Sequence, residues 1–208
     1  MKQSGTDPGA VWVLADEPVP VRLMNTIWAD RHGVHDALAS PADLADWLNE
    51  IGADDTVPGI TRDDLVEARE LRDALRRLAA TCTGDTRPAA GSATEDPAAA
   101  VGALNDLAAA LVPPRLELKG DTLEVATPQD RPVAAALADV AIEAMALFTD
   151  SAATPLRACF APGCVLYFVQ DHRRREWCSN ACGNRARAAR HYERHRSPHG
   201  AQGPDQSP

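Results

Sequence analysis

Cys159, Cys164, Cys178 and Cys182 are the residues of this chain best suited to chemistry. They follow C-x4-C-x13-C-x3-C, two close pairs separated by a loop, and zinc favours a tetrahedral set of thiolates supplied in this way. Phe160-Ala161-Pro162-Gly163 reads as a tight turn that lets Cys159 and Cys164 converge. Cys178 and Cys182 share one side if a helix starts at Ser179 or Asn180, since residues four apart lie on the same face. Val165 to Val169 reads as a strand, with Arg173, Arg174 and Arg175 at or near a hairpin tip or its return strand. Knuckle, hairpin and helix with the last ligand on the helix make a treble-clef-like finger holding one structural Zn2+ per chain. Four thiolates close the coordination shell and leave no place for a reacting water. Such a short module has little core of its own, so the metal supplies much of its folding energy.

The charge is unevenly distributed. The whole chain has a formal net charge of −9, from 21 basic and 30 acidic residues. Residues 157–196 carry nine arginines against Asp171, Glu176 and Glu193, a net of +6, which leaves −15 for the rest. Charge per module, not the bulk isoelectric point, is what bears on nucleic acid. On a helical wheel over 179–196, Arg187, Arg190 and Arg194 fall within about 60° of one another and opposite the metal side. With Arg173, Arg174 and Arg175 they are the candidate DNA contacts, since arginine suits bidentate phosphate contact. Arg185 falls on the metal side, so Asn184 and Arg185 are candidates to support the zinc-bound sulfurs or the hairpin. The alternatives for this basic face are a protein partner, or docking on the chain's own acidic region.

These residues must be positioned by the elements around them. The expected fold is mainly α with a β-hairpin (α+β), followed by the finger. Residues 1–150 form a mostly helical domain, 156–196 the finger and 197–208 a disordered tail. Val11 to Leu14 reads as a short strand, and Val21 to Trp28 as a buried helix start or strand. Ser40-Pro41 starts a helix that runs to about Glu50. Thr61 caps the longest helix, in which Leu65, Ala68, Leu71, Leu75 and Leu78 keep a 3.6-residue period. Residues 83–96 read as a loop, and a helix follows from about Pro97 to Leu111. Around Lys119-Gly120-Asp121 the pattern alternates, pairing Leu116 and Leu118 with Leu123 and Val125 in a hairpin near 115–126. Pro132 to Thr149 is an alanine-rich, deeply buried helix, and Ser151 to Pro155 marks the boundary between two separate cores. No run has the composition of a membrane span, and the N-terminus is not a signal peptide, so the expected location is cytoplasmic with no membrane partner.

In the helical region, Asn25 and Thr26 are polar within an apolar stretch, and with Trp28 they are the candidate ligand pocket. The plainer reading is that they satisfy local backbone. Trp12, Trp28 and Trp47 read as core. His32 and His35 with Asp30 and Asp36 could bind a metal in principle, but read more simply as a polar loop after a helix. No nucleophile–base pair, phosphate loop or informative pair of carboxylates occurs, so no catalytic residues are expected and the chain does not read as an enzyme.

Trp177-Cys178-Ser179-Asn180-Ala181-Cys182-Gly183-Asn184-Arg185 resembles the signature of the CGNR-type zinc fingers, as do Pro-Gly before Cys164, Tyr167-Phe168 and the Arg-rich tail. Leu23-Met24-Asn25-Thr26 and Ser40-Pro41-Ala42-Asp43-Leu44 resemble the ABATE domain found with that finger. The resemblance implies a stress-related transcription regulator, with a DNA-binding finger and a domain that senses a ligand or partner. A homodimer is compatible with this. The rival is an interaction adaptor whose finger is purely structural.

Overall fold

The computed structural model describes residues 14–53, 59–87, 95–126, 132–150 and 155–196. In chain order the elements are α1 (Val19–Met24), β1 (Ile27–Asp30), β2 (Gly33–Asp36), α2 (Pro41–Glu50), α3 (Arg62–Thr83), α4 (Pro97–Ala108), β3 (Arg115–Lys119), β4 (Thr122–Ala126), α5 (Pro132–Thr149), β5 (Leu156–Ala158), β6 (Tyr167–Val169) and α6 (Asn180–Arg196). The strands form three antiparallel pairs, β1–β2, β3–β4 and β5–β6. The expected strand at Val11, Trp12, most of the boundary segment and the tail beyond Arg196 lie outside the described residues.

Local chemistry sets the helix starts. Ser40 and Thr61 each form a reciprocal capping box, with Asp43 and Asp64 respectively, which satisfies backbone donors that a helix leaves free at its first turn. The apolar face of α3, including Leu65, Ala68, Leu71 and Leu75, is buried against α5 through Leu137, Val140, Ala141 and Ala144. Trp47 of α2 and Leu23 and Met24 of α1 complete this core. Helix α5 is, by length and composition, apolar enough to cross a membrane, with a mean hydropathy of 1.6, although no span was expected. Its buried Val133, Leu137, Val140, Ala141, Ala144 and Leu147 belong to the helical core.

Two expectations change. Residues 27–36 form a β-hairpin, not a loop after a helix: Trp28 pairs with His35 and Asp30 with Gly33. Asp36 there is held by Arg72 of α3, at 2.6 and 3.1 Å, and Asp30 binds His35 at 2.8 Å. The four polar residues thus serve the hairpin and its anchorage. The second change concerns the two cores. Ala158 of β5 and Tyr167 of β6, both from the expected finger, are buried in the same cluster as α1, α3 and α5. The finger sheet is therefore built into the helical core, because its inner face is apolar and too small to be covered from within the finger.

Candidate metal centre and nucleic-acid interface

The four sulfurs of Cys159, Cys164, Cys178 and Cys182 lie within 4.8 Å of one another, and all four residues are buried. Cys164 Sγ is 3.8 Å from Cys178 Sγ, and Cys178 Sγ is 3.3 Å from Cys182 Sγ. A tetrahedron with Zn–S bonds of about 2.3 Å has sulfurs about 3.8 Å apart, so the set fits zinc in size as well as donor type. Two ligands come from the turn after β5. There Cys164 N–H donates to Ala161 O at 2.9 Å, and Cys159 N–H to Leu166 O at 2.9 Å. The backbone N–H groups of Ala161 and Leu166, each two residues beyond a cysteine, point at the Cys159 and Cys164 sulfurs. The other two ligands flank the start of α6, where Ser179 Oγ accepts from Cys182 N–H at 3.3 Å.

The thiols cannot all ionise without a cation. The Cys164 and Cys178 thiols donate to Cys159 and hold it as a thiolate, down to about 2. Its hydrogen bond to the Cys159 sulfur, with burial and the thiolate charge, pushes Cys164 up to about 12, and Cys178 rises because it bonds Cys159 and Cys164 and is buried. A divalent ion relieves this conflict by binding all four sulfurs as thiolates and offsetting half of their charge. The finger holds one structural zinc ion.

The helix carrying the last ligand leaves the body quickly. From Arg187 to His195 only Ala189 is even half-buried. Arg187, Arg190 and Arg194 are exposed, as are Arg173 and Arg174 in the bend after β6. Gly183 is buried at a close approach: a Cβ there would sit 3.1 Å from Trp177 Cδ1 and 3.3 Å from Arg187 Nη1. The guanidinium of Arg190 lies over the Trp177 ring, 5.5 Å from its centroid. Arg185 Nη2 donates to Cys182 Sγ at 3.0 Å. Asn184, paired with Arg185 as a sulfur support in the sequence reading, instead accepts from Arg187 Nη2 at 2.6 Å. Both contacts span three residues of one helix, so Arg185 reaches Cys182 while Asn184 reaches only Arg187.

Comparison with known families matches residues 17–151 to ABATE, described as "Putative stress-induced transcription regulator", and residues 156–195 to the CGNR zinc finger. The chain belongs to the ABATE family. No curated protein and no solved structure gives a significant match.

Several buried polar side chains join the ABATE region to the finger. Asn25 is 2% exposed and bonds both backbone groups of Tyr167. Arg76, fully buried, donates to Met24 O at 2.9 Å and Val165 O at 3.2 Å, with its guanidinium over the Tyr167 ring. Arg87, just beyond α3, donates to the carbonyls of Cys159 and Cys164 at 2.7 and 2.6 Å. Asp85 orients it through a 2.7 Å ion pair.

Two predicted sites are corrected by these contacts. Arg175 is not free for phosphate: it pairs with Glu17 and donates to Val169 O and Cys178 O. One of the arginines does dock on the chain's own acidic region, the alternative left open for the basic face. Desolvation raises the Glu17 carboxyl, opposed by the Val169 N–H and by Arg175. The candidate pocket residues are also already engaged. The Asn25 amide bonds Tyr167 through both of its polar atoms, and Thr26 Oγ1 donates to Leu23 O at 2.8 Å and accepts from Arg72 at 3.4 Å. Trp28 stacks on His35 and packs against the cysteine cluster. Buried polar groups that are already paired offer a ligand nothing to address. The roles of Glu17, Arg76 and Arg87 were not legible in sequence, since the finger groups that each meets lie far away along the chain.

Proposed function

We propose that this ABATE-family chain is a DNA-binding transcription regulator whose finger, of treble-clef type, grips the duplex mainly through phosphates. The observation that carries the reading is the second half of α6, which stands in solvent with Arg187, Arg190 and Arg194 exposed. Arg173 and Arg174, exposed in the bend after β6, extend the cationic surface. Tyr192, 73% exposed on the same helix, adds an aromatic ring beside the sugar–phosphate backbone. Zinc-bound thiolates add negative charge, so the finger is nearer +4 than +6, against an ABATE region that repels DNA at long range. The ABATE region does not swing away from the finger, because buried polar pairs join them. Its regulatory input is therefore a partner or an assembly change read through a fixed joint. Reduced thiolates on zinc suit a cytoplasmic setting, and we assign no catalytic role.

The test is DNA binding by the zinc-loaded chain across a range of salt concentrations. About three to five neutralised phosphates give a slope of roughly −3 to −4.5 in log affinity against log salt. Replacing Arg187, Arg190 and Arg194 together should weaken binding to every sequence and flatten that slope, with zinc content unchanged. No binding at low salt would favour the adaptor reading, in which the finger is purely structural.

A further inference from the structure

Gly183 lies in the first turn of α6 without the positive φ that glycine alone adopts freely. Glycine within a helix costs stability relative to alanine, so its place there calls for another reason. The space beside it supplies one. A Cβ at Gly183 would meet Trp177 Cδ1 at 3.1 Å and Arg187 Nη1 at 3.3 Å, so the missing side chain lets the half-buried indole and the guanidinium close on the helix. Asn184, the next residue, accepts from Arg187 Nη2 at 2.6 Å. The Arg190 guanidinium lies over the same indole, 5.5 Å from its centroid. Two exposed arginines three residues apart are thus held by uncharged neighbours. Arg194 is placed differently, with Nε turned back to Arg190 O at 3.3 Å.

We infer that Trp177, Gly183 and Asn184 are positioning residues that present Arg187 and Arg190 to the phosphates of a DNA duplex. The inference rests on the DNA-binding reading and says which arginines are set in advance, and by what. Both supports leave the arginines able to bind. Neither Trp177 nor Asn184 carries a charge, so the cations are not neutralised, in contrast to Arg175, which Glu17 pairs. The Asn184 bond takes one of the five N–H donors of Arg187 and leaves the others for phosphate oxygens. Stacking on Trp177 occupies the face of the Arg190 guanidinium, whereas its N–H groups point outward from the edge. A free arginine gives up much of its rotamer freedom when it is fixed on a ligand. One that is already held loses less, so affinity rises without a new contact to DNA.

The affinity of the full zinc-loaded chain for a mixed-sequence DNA duplex, followed by fluorescence anisotropy at constant salt, tests it. Asn184→Ala should weaken binding about twofold to tenfold, the range for one rotamer-rich side chain set free, with zinc content unchanged. In an Arg187→Ala background the same substitution should cost nothing further, since a residue that acts only through Arg187 then has nothing to position. Trp177→Ala should weaken binding to a similar extent, and Trp177→Phe should restore much of it, because a phenyl ring still offers Arg190 a π face. Trp177 adjoins Cys178, so if Trp177→Ala loses zinc, the cycle on the exposed Asn184 decides alone. Asn184→Ala binding as tightly as the parent, or a loss that recurs in full in the Arg187→Ala background, overturns this inference while the parent still binds DNA. A parent chain that binds no duplex at low salt overturns the DNA-binding reading, and this inference with it.

Discussion

The side-chain amide of Asn25 pairs with the backbone of Tyr167 on both of its atoms: Nδ2 donates to Tyr167 O at 2.9 Å, and Tyr167 N–H donates to Oδ1 at 2.9 Å. An asparagine at the end of α1 thereby acts as an extra rung for β6, 142 residues away in sequence. Asn25→Ala leaves two buried backbone groups of Tyr167 without partners. The expected loss is about 2–6 kcal/mol, since each of the two unsatisfied groups costs about 1–3 kcal/mol. Asn25→Asp should be no better, because a carboxylate cannot donate to Tyr167 O. Urea denaturation, followed by helix content and by tryptophan emission, checks both.

Removal of zinc should weaken the ABATE region as well as the finger. Ala158 and Tyr167 belong to the helical core, and Arg87 is held by knuckle carbonyls. Cys182→Ser should therefore lower the melting temperature of the whole helical signal. A helical melt unchanged from the zinc-loaded protein would contradict the shared core. Elemental analysis of the unmodified chain should give one zinc per chain.

Arg185→Ala should weaken zinc retention by about tenfold, the low end for loss of a group that orients a metal ligand. The cause is loss of the 3.0 Å bond to Cys182 Sγ. Competition with a colorimetric chelator measures this. Asn184→Ala should leave zinc affinity unchanged, since Asn184 holds Arg187 rather than sulfur.

Asp85→Asn should cost about 2 kcal/mol at neutral pH, the scale of a hydrogen bond to a charged group. Burial opposes ionisation of Asp85, but the bonds and charge of Arg87 outweigh it and hold the carboxyl below its ordinary 3.8. A depressed folded value means that the stabilisation is fully present above pH 3.8 and is lost as pH falls through the lower folded value. The stability difference between the parent and Asp85→Asn should be flat from pH 8 to about pH 5 and shrink below about pH 4. Equilibrium denaturation at stepped pH reads it directly.

The sequence by itself determined whatever depends on short spacing. The paired cysteines, the capping boxes at Ser40 and Thr61, the hairpin register around Gly120 and the extent of α5 are written within a few residues of one another, and local geometry decides them. The position of Arg185 beside Cys182 belongs here too, because three helical residues fix it. Only the tertiary structure decided how Asn25, Thr26, Trp28 and Arg175 are used. A polar residue in an apolar stretch is equally suited to line a pocket or to pair with distant backbone. Packing of β6 against α1 closed that choice by giving Asn25 the backbone of Tyr167. Arg175 resembles its neighbours Arg173 and Arg174 in sequence, yet only Arg175 meets the buried carboxylate of Glu17. That carboxylate lies 158 residues away along the chain, and a buried charge must find its counter-charge wherever the fold delivers it.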